Sequence, residues 1–357
     1  MRIGITYDLK TDAEGADSRF PDDFQEEFDS PATIEAIAEV LRKLGHVVDK
    51  LGDGRELLEQ LLADPPEFVF NFAEGEGVSR SREARVPAVL EMLGIPYSGS
   101  DPLTLAATLD KDCAKRLVES TGVAVPRGIV VQSPKSKAQS HPRDSGPWTF
   151  DLELHPGLPF PVIVKPAWEG SSKGIRGHSL VQRPEDLTDI VRTMAQEYDQ
   201  PILVEEYIQG DEVTVGIIGN NPPQTIGMMS IVPNRPSDHF VYGVDVKRDF
   251  RRLVRYESPP DIGTDATGAV TKAALEAYRV LGCRDVARVD FRVRDGVPYF
   301  LEINPLPGLN PESSDLVILG RLCGWTYPRL IEAILSAAVA RHGHFSHRGR
   351  ASSACHE

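Results

Sequence analysis

The sequence predicts an α/β protein of two or three domains, opening on a parallel sheet with helices on both faces. Three observations predict it. At 357 residues the chain is long for one domain, since domains run to about 100–200 residues. Through the first hundred residues or so, short apolar runs alternate with segments of helical period, the pattern of βαβ units. Late in the chain, two runs of period-2 alternation flank Asp295-Gly296, which reads as an antiparallel hairpin.

The elements follow in order. Residues 3–7 read as a buried strand, and the acidic loop from Asp8 to Ser30 is long for an α/β connection. Ser30-Pro31 opens a helix, because serine caps well and proline suits the first turn; Ile34, Ile37, Ala38, Leu41 and Leu44 keep helical spacing up to Gly45. A strand (46–51), a helix (56–62), the apolar strand Phe68–Phe72, a helix (80–93) and extended Ile95–Tyr97 complete a first unit, 1–105. The second unit, 106–206, holds a helical stretch (102–121), a strand (128–131), an inserted Ser/Pro/Gly-rich loop (132–160), a strand (161–166), a helix (184–197) and a strand (202–207). The third, 207–342, holds strands to about 231, a charged loop (233–256), a helix (265–281), the hairpin (287–303) and terminal helices to about 341. Arg341 to Glu357 carries four histidines and no core-forming residues, so it reads as a tail, disordered over 343–357, with nothing to fix a metal geometry.

Composition narrows the function. Hydrophobic residues at 41% and charged residues at 26% exclude wholesale disorder. A net charge of -14 argues against nucleic acid, whose phosphates need clustered Lys and Arg, but leaves room for a local basic pocket. Four scattered cysteines without C-x-x-C spacing read as free thiols in a reducing compartment. The opening apolar run is too brief for a signal peptide, and no apolar stretch reaches about 18 residues. The expectation is a cytoplasmic protein with neither membrane nor nucleic acid among its partners.

Four segments can carry chemistry. In Ala287–Val293, Arg288, Asp290 and Arg292 share one face, and Phe300, Glu302 and Asn304 share a face on the return strand. With the turn at Gly296, Asp290 faces Glu302 and Arg288 faces Asn304. Two opposed carboxylates repel unless a cation lies between them. Asp290, Glu302 and Asn304 are hard oxygen ligands, too few to cage Mg²⁺ without water and phosphate; the alternative is a solvated face. Lys165, at a strand end, precedes the small-residue loop Glu169-Gly170-Ser171-Ser172-Lys173-Gly174, whose N–H groups suit a phosphate, although such loops are more often plain turns. Glu205, Glu206 and Tyr207, with Glu212 beyond, form an acidic strand end able to accept from adenine and ribose; the alternative is a charge-protected edge strand. Asp110 caps a helix whose first residue, Lys111, opposes the helix dipole. In chain order these supply two cations, a cover, a base-and-ribose reader and a metal site, the parts that hold a nucleoside triphosphate.

In these motifs the chain resembles the D-alanine–D-alanine ligase branch of the ATP-grasp superfamily. The resemblance covers roughly residues 68–335 and rests on Glu91–Ser100, Asp110-Lys111, Val164-Lys165-Pro166 with Glu169–Ser172, Leu203–Glu206, Arg288-Val289-Asp290 and Leu301–Gly308. It implies the ATP-grasp fold: an N-terminal parallel α/β domain plus two α+β domains whose antiparallel sheets clamp ATP. It implies ATP and Mg²⁺ (two ions, with Mn²⁺ able to substitute), the metal held by Asp290, Glu302 and Asn304. Lys111 and Lys165 would meet the phosphates under the Glu169–Ser172 loop, Glu205, Glu206, Tyr207 and Ile208 would flank adenine, and Glu212 would bind ribose. Lys247 would close over the γ-phosphate, Arg288 and the Gly308 N–H would stabilise an oxyanion, and Ser313 would contact the acceptor's carboxylate. The implied reaction joins two amino acids, or an amino acid and an amine, through an acyl phosphate, in a homodimer.

Departures qualify the resemblance. The family's Gly-Gly-x-Ser-x-Glu run, whose Glu binds the first substrate's ammonium, is absent after the first strand. Phe72-Ala73-Glu74-Gly75 replaces its His-Gly run, and Asn310–Asp315 replaces its acceptor loop. The expectation is therefore a ligase for substrates other than two D-alanines, such as an L-amino acid or γ-glutamyl ligase. The alternatives are an authentic D-alanine–D-alanine ligase, a phosphotransferase on the same fold, or a non-catalytic ATP-binding regulator.

Overall fold

The computed structural model describes residues 1–10, 20–132 and 157–343. Most of the expected 132–160 loop, residues 11–19 of the acidic segment and the tail from 344 lie outside the described residues.

Strands β1 (Arg2–Tyr7), β2 (Val47–Gly52) and β3 (Phe68–Phe72) form a parallel sheet in the order β2-β1-β3, as the alternation predicts. Helix α1 (Pro31–Lys43) starts at its expected cap, where the Ser30 hydroxyl accepts the Thr33 N–H at 3.2 Å. Helices α2 (Gly54–Ala63) and α3 (Arg85–Leu93) follow, and α3 ends on Gly94 at φ +70°, the left-handed conformation that closes helices. One face of the sheet packs Ile3, Ile5, Phe70, Ile34 and Leu41 against Leu330, Ile331 and Ile334. The last three belong to the final helix (Tyr327–His342), so the end of the chain completes the core of its beginning. That packing corrects the reading of Arg341 and His342 as the start of a tail. Arg341 pairs at 2.8 Å with Asp285, which is fully buried, and the His342 ring meets Phe68 edge-on.

The predicted helical stretch 102–121 is two helices, α4 (Pro102–Leu109) and α5 (Lys111–Glu119). Asp110 leaves helical geometry between them, at ψ +100°, and caps α5 by accepting the Cys113 N–H. Strands β4 (Gly128–Val131), β5 (Val162–Pro166), β6 (Leu180–Val181) and β7 (Ile202–Glu206) make an antiparallel sheet in the order β4-β7-β5-β6. Helix α6 (Pro184–Tyr198) covers it through Leu187, Val191 and Met194. Strand β7 is interior, which removes the edge-strand alternative for Glu205 and Glu206.

A second antiparallel sheet has the order β10-β9-β8-β11-β12, from β8 (Asp211–Ile218), β9 (Gln224–Pro233), β10 (Val254–Glu257), β11 (Val286–Arg294) and β12 (Val297–Asn304). Within the expected charged loop lie the short helices α7 (Val244–Arg248) and α8 (Phe250–Leu253). Helix α9 (Thr264–Val280) packs on the sheet with α5, joining Ala274 and Val118 to Val289, Phe291 and Phe300. Helices α10 (Asp315–Leu322) and α11, the final helix, close the described chain.

The β11–β12 hairpin pairs Arg288 with Asn304 and Asp290 with Glu302, as the spacing predicts. It does so through a bulge: Phe291 pairs Phe300, and the register shifts between Asp290 and Phe291. The extra residue, Leu301, turns β12 over. Phe300 therefore sits in the core against Phe291, with ring centroids 6.0 Å apart, and does not share the face of Glu302. This corrects the period-2 reading. No helix among the described residues is long and apolar enough to cross a membrane, and the described cysteines are free thiols.

Candidate active site

The two antiparallel sheets face each other across a cavity. Strands β5 and β7 supply Lys165, Glu205 and Glu206, with Tyr207 and Ile208 just beyond; β8 supplies Glu212; β11 and β12 supply Arg288, Asp290 and Glu302. Ser172 and Lys247 also line it. A second cavity adjoins at Arg288 and Glu302 and is lined by Lys111, Glu169, Gly170, Ser171, Asn304 and Gly308 among others. Residues scattered from 111 to 308 thus converge on one junction.

Lys165 and Lys115 both contact the Glu205 carboxylate, and all three are buried. Burial works against the charge on Glu205, yet the two ammonium groups hold its carboxyl below the usual range. Burial pushes Lys115 down to about 7, against the attraction of Glu205, with Lys165 adding repulsion. Lys115 is absent from the sequence reading, although one helical turn after Lys111 places it on the same buried face.

Lys111 meets Glu302 at 2.9 Å and donates to the Glu169 carbonyl. Burial opposes ionisation of Glu302, but Lys111, Lys165 and Arg288 hold it far below its ordinary value. Arg288 donates to Asp290 at 2.9 Å and lies 3.5 Å from Asp315 and 3.9 Å from Glu302. Burial raises Asp290, Arg288 opposes that, and Glu302 adds to it. The Asn304 amide N–H donates to Asp290 at 3.3 Å. Two carboxylates in register and one amide oxygen are a hard donor set, which fits a divalent cation that completes its sphere with phosphate and water. Among the described residues no group of three His, Cys, Asp or Glu side chains is gathered to cage a metal unaided.

Elsewhere in the first cavity, Glu212 pairs with Arg292 at 2.8 Å, and burial raises its carboxyl. Arg292 also stacks over the Tyr207 ring at 5.3 Å. The Lys247 ammonium lies 5.2 Å over the Tyr242 ring, where α7 brings it to the cavity. Leu301, the bulged residue, lines the cavity wall beside Ile163.

The small-residue loop is placed differently from the simple phosphate cover that its composition implies. Ser171 and Ser172 have φ +49° and +61°, left-handed values that non-glycine residues adopt at some cost. The Ser172 hydroxyl donates to the Tyr242 carbonyl at 3.1 Å, so the loop is tied to the 233–256 segment. The Gly170 N–H donates to the Glu27 carboxylate. Glu169 faces away from the first cavity, in a buried cluster where Arg82 and Lys173 neutralise Glu27 and Glu169: Arg82 lies 2.8 Å from Glu27 and 3.2 Å from Glu169, and Lys173 lies 3.2 Å and 2.5 Å from the same two. Glu27, held down to about 2 against its burial, comes from the acidic 20–29 segment, and no local pattern announces that contact. Gly308 sits at the mouth of the second cavity, where a Cβ would lie 2.8 Å from the Ser314 hydroxyl. Ser313 is not brought into the group. It is exposed, its N–H donates to Asn310 at 3.2 Å, and Ser314 occupies the inner position.

Residues 117–336 match the family model described as D-ala D-ala ligase C-terminus. A D-alanine–D-alanine ligase of Fervidobacterium nodosum is 31% identical over 306 residues, covering 85% of this chain and 92% of that one. Another, from Pelotomaculum thermopropionicum, is 30% identical over 87% of this chain and 92% of its own length. Among solved structures, the Bacillus anthracis D-alanine–D-alanine ligase complexed with ATP superposes with a TM-score of 0.69 at 24% identity, over 96% of this chain and 99% of that one.

Proposed function

For a chain that belongs to the D-alanine–D-alanine ligase family and has its ATP-grasp fold, we propose an ATP-dependent carboxylate–amine ligase whose substrates differ from two D-alanines. The observation that carries the ligase reading is the shared wall: Arg288 and Glu302 line both cavities, so a phosphate held in one meets a carboxylate held in the other.

In this reading ATP lies between the antiparallel sheets, with adenine against Glu205–Ile208 and ribose at Glu212. Lys111, Lys165 and Lys247 take the triphosphate. Asp290, Glu302 and Asn304 would hold Mg²⁺, which when bound supplies positive charge to the phosphate oxygens. A substrate carboxylate oxygen attacks the γ-phosphorus and ADP leaves. An amine then attacks the acyl carbon, loses a proton, and inorganic phosphate departs. Arg288 and the Gly308 N–H serve the acyl oxygen, on which negative charge develops as the amine adds, where fixed donors lower the barrier most. Tyr242 and Ser172 close the 233–256 segment over the Gly-Ser loop, keeping water from the acyl phosphate.

Substrates other than D-alanine are supported by the residues around the second cavity, where Glu74 stands in place of the family's His and no Gly-Gly-x-Ser-x-Glu run follows β1. The reading of an authentic D-alanine–D-alanine ligase is favoured by the names of the relatives. Phosphate release from ATP and Mg²⁺ across paired L- and D-amino acids, with mass spectrometry of the products, separates the two. Activity confined to two D-alanines overturns the substrate proposal. Glu302→Gln is expected to reduce phosphate release to background with an unchanged circular dichroism spectrum; a normal rate in that variant removes Glu302 from the metal site.

A further inference from the structure

The second cavity has one wall made wholly by the N-terminal domain, and that wall is acidic. Glu27, Glu74 and Glu83 line it opposite Asn304–Gly308. Glu27 and Glu169 are matched by Arg82 and Lys173, and Glu302 is matched by Lys111. Glu74 and Glu83 are left over. Glu83 retains 8% of its surface and Glu74 is half-buried, yet among the described residues no hydrogen bond or ion pair reaches either carboxylate. Buried carboxylates are normally paired, because an isolated buried charge is costly.

The pair is also held in place. The Asp8 carboxylate accepts the N–H groups of Glu74 and Gly75 at 2.8 and 2.9 Å. Gly75 has φ +81°, and a Cβ there would lie 2.7 Å from the Arg82 carbonyl oxygen. Only glycine permits this approach, which sets the turn carrying Glu74 against the one carrying Glu83. Two carboxylates with no ion-pair partner among the described residues thus line the cavity that Arg288 and Lys111 also line, with Arg82 acting on both only at longer range.

We infer that this cavity takes a cationic amino acid, one with an ammonium or guanidinium group besides its α-ammonium, and that Glu74 and Glu83 read its positive end. The inference rests on the ligase reading for the orientation of the substrate, with its reacting carboxylate toward Arg288. An α-ammonium and one further cation let both carboxyls ionise as charge pairs, whereas a neutral side chain leaves one of them to keep its proton.

The test uses isosteric pairs with the intact protein: lysine against norleucine and arginine against citrulline, each as L and D forms. Phosphate release is followed with Mg²⁺ and ATP, and binding by calorimetry with a non-hydrolysable ATP analogue. The cationic member is expected to show a kcat/KM at least about 30-fold higher and correspondingly tighter binding, as for a buried charge pair. Glu83→Gln should narrow that ratio to within about threefold with the KM for ATP unchanged, and Glu74→Gln serves if the first variant does not fold. Equal or inverted preference within the pairs overturns the inference, as does an undiminished preference in both variants. Absence of phosphate release with every amino acid overturns the ligase reading instead, and the binding comparison then still decides the inference.

Discussion

At Arg288 a single side chain touches Asp290, Asp315 and Glu302 and lines both cavities. Its neighbours show why residue type alone predicts so much here. An Arg between two in-register carboxylates has few roles other than handling anions, and the spacing R-x-D with L-E-I-N places it there. Residue chemistry also yields a pH prediction. Burial pushes Glu83 up to about 8, against Arg82, and Glu74 is raised in the same direction by burial and by Glu83. Between about pH 4.5 and 8 the folded protein keeps a proton that the unfolded chain releases, so stability falls as pH rises through that window. Glu83→Gln cannot ionise and should lose less stability over the same range. Urea unfolding of both proteins at pH 5, 6.5 and 8 checks this, and parallel slopes would refute it.

At the scale of elements, the hairpin and the acidic segment decide the site's shape. The bulge at Leu301 sends Phe300 into the core and Glu302 toward the cavity between the antiparallel sheets, a choice that period-2 counting misses. The acidic segment is a strap across the Gly-Ser loop. Fully buried Asp23 accepts the Gly174 N–H at 2.9 Å and the Tyr198 hydroxyl at 2.9 Å, while Arg248 of α7 donates to Asp22 and Glu26. Asp23→Ala leaves a buried N–H and hydroxyl without partners, at a cost of about 2–4 kcal/mol. The expected result is a lower melting temperature and faster proteolysis within residues 20–29, with Asp23→Asn less affected because it keeps an acceptor. Wild-type protease resistance in the alanine variant would show that the strap contributes little.

For the whole molecule, three sheets share two sites. The first cavity lies between the antiparallel sheets, and the second is closed by the parallel domain through Glu27, Glu74 and Glu83. Ligands that bridge such layers stabilise the assembly. At about 100 times its Kd, Mg²⁺ with ATP should stabilise by about 2.7 kcal/mol, and chelation of the metal should reverse most of it. A melting temperature indifferent to saturating Mg²⁺ and ATP would place the nucleotide elsewhere. The order of the longer elements was readable because their apolar runs carry their own period and cap, as at Ser30 and Gly94, while the short helices and the strand within 233–257 were not. The partners across domains were not, because no local pattern records which distant carboxylate meets which cation.

The sequence by itself determined the order of the longer strands and helices and the in-register pair Asp290 and Glu302, and it singled out lysines and carboxylates that line the cavity between the antiparallel sheets. Backbone periodicity and turn chemistry act over a few residues, so they are written locally. Only the tertiary structure decided that Lys115 shares Glu205, that Glu27 occupies the Gly170 N–H, that Ser314 displaces Ser313, and that Glu74 and Glu83 stand unmatched in one wall. Those facts depend on which surfaces are desolvated together, and desolvation is a property of the packed chain, not of any segment within it.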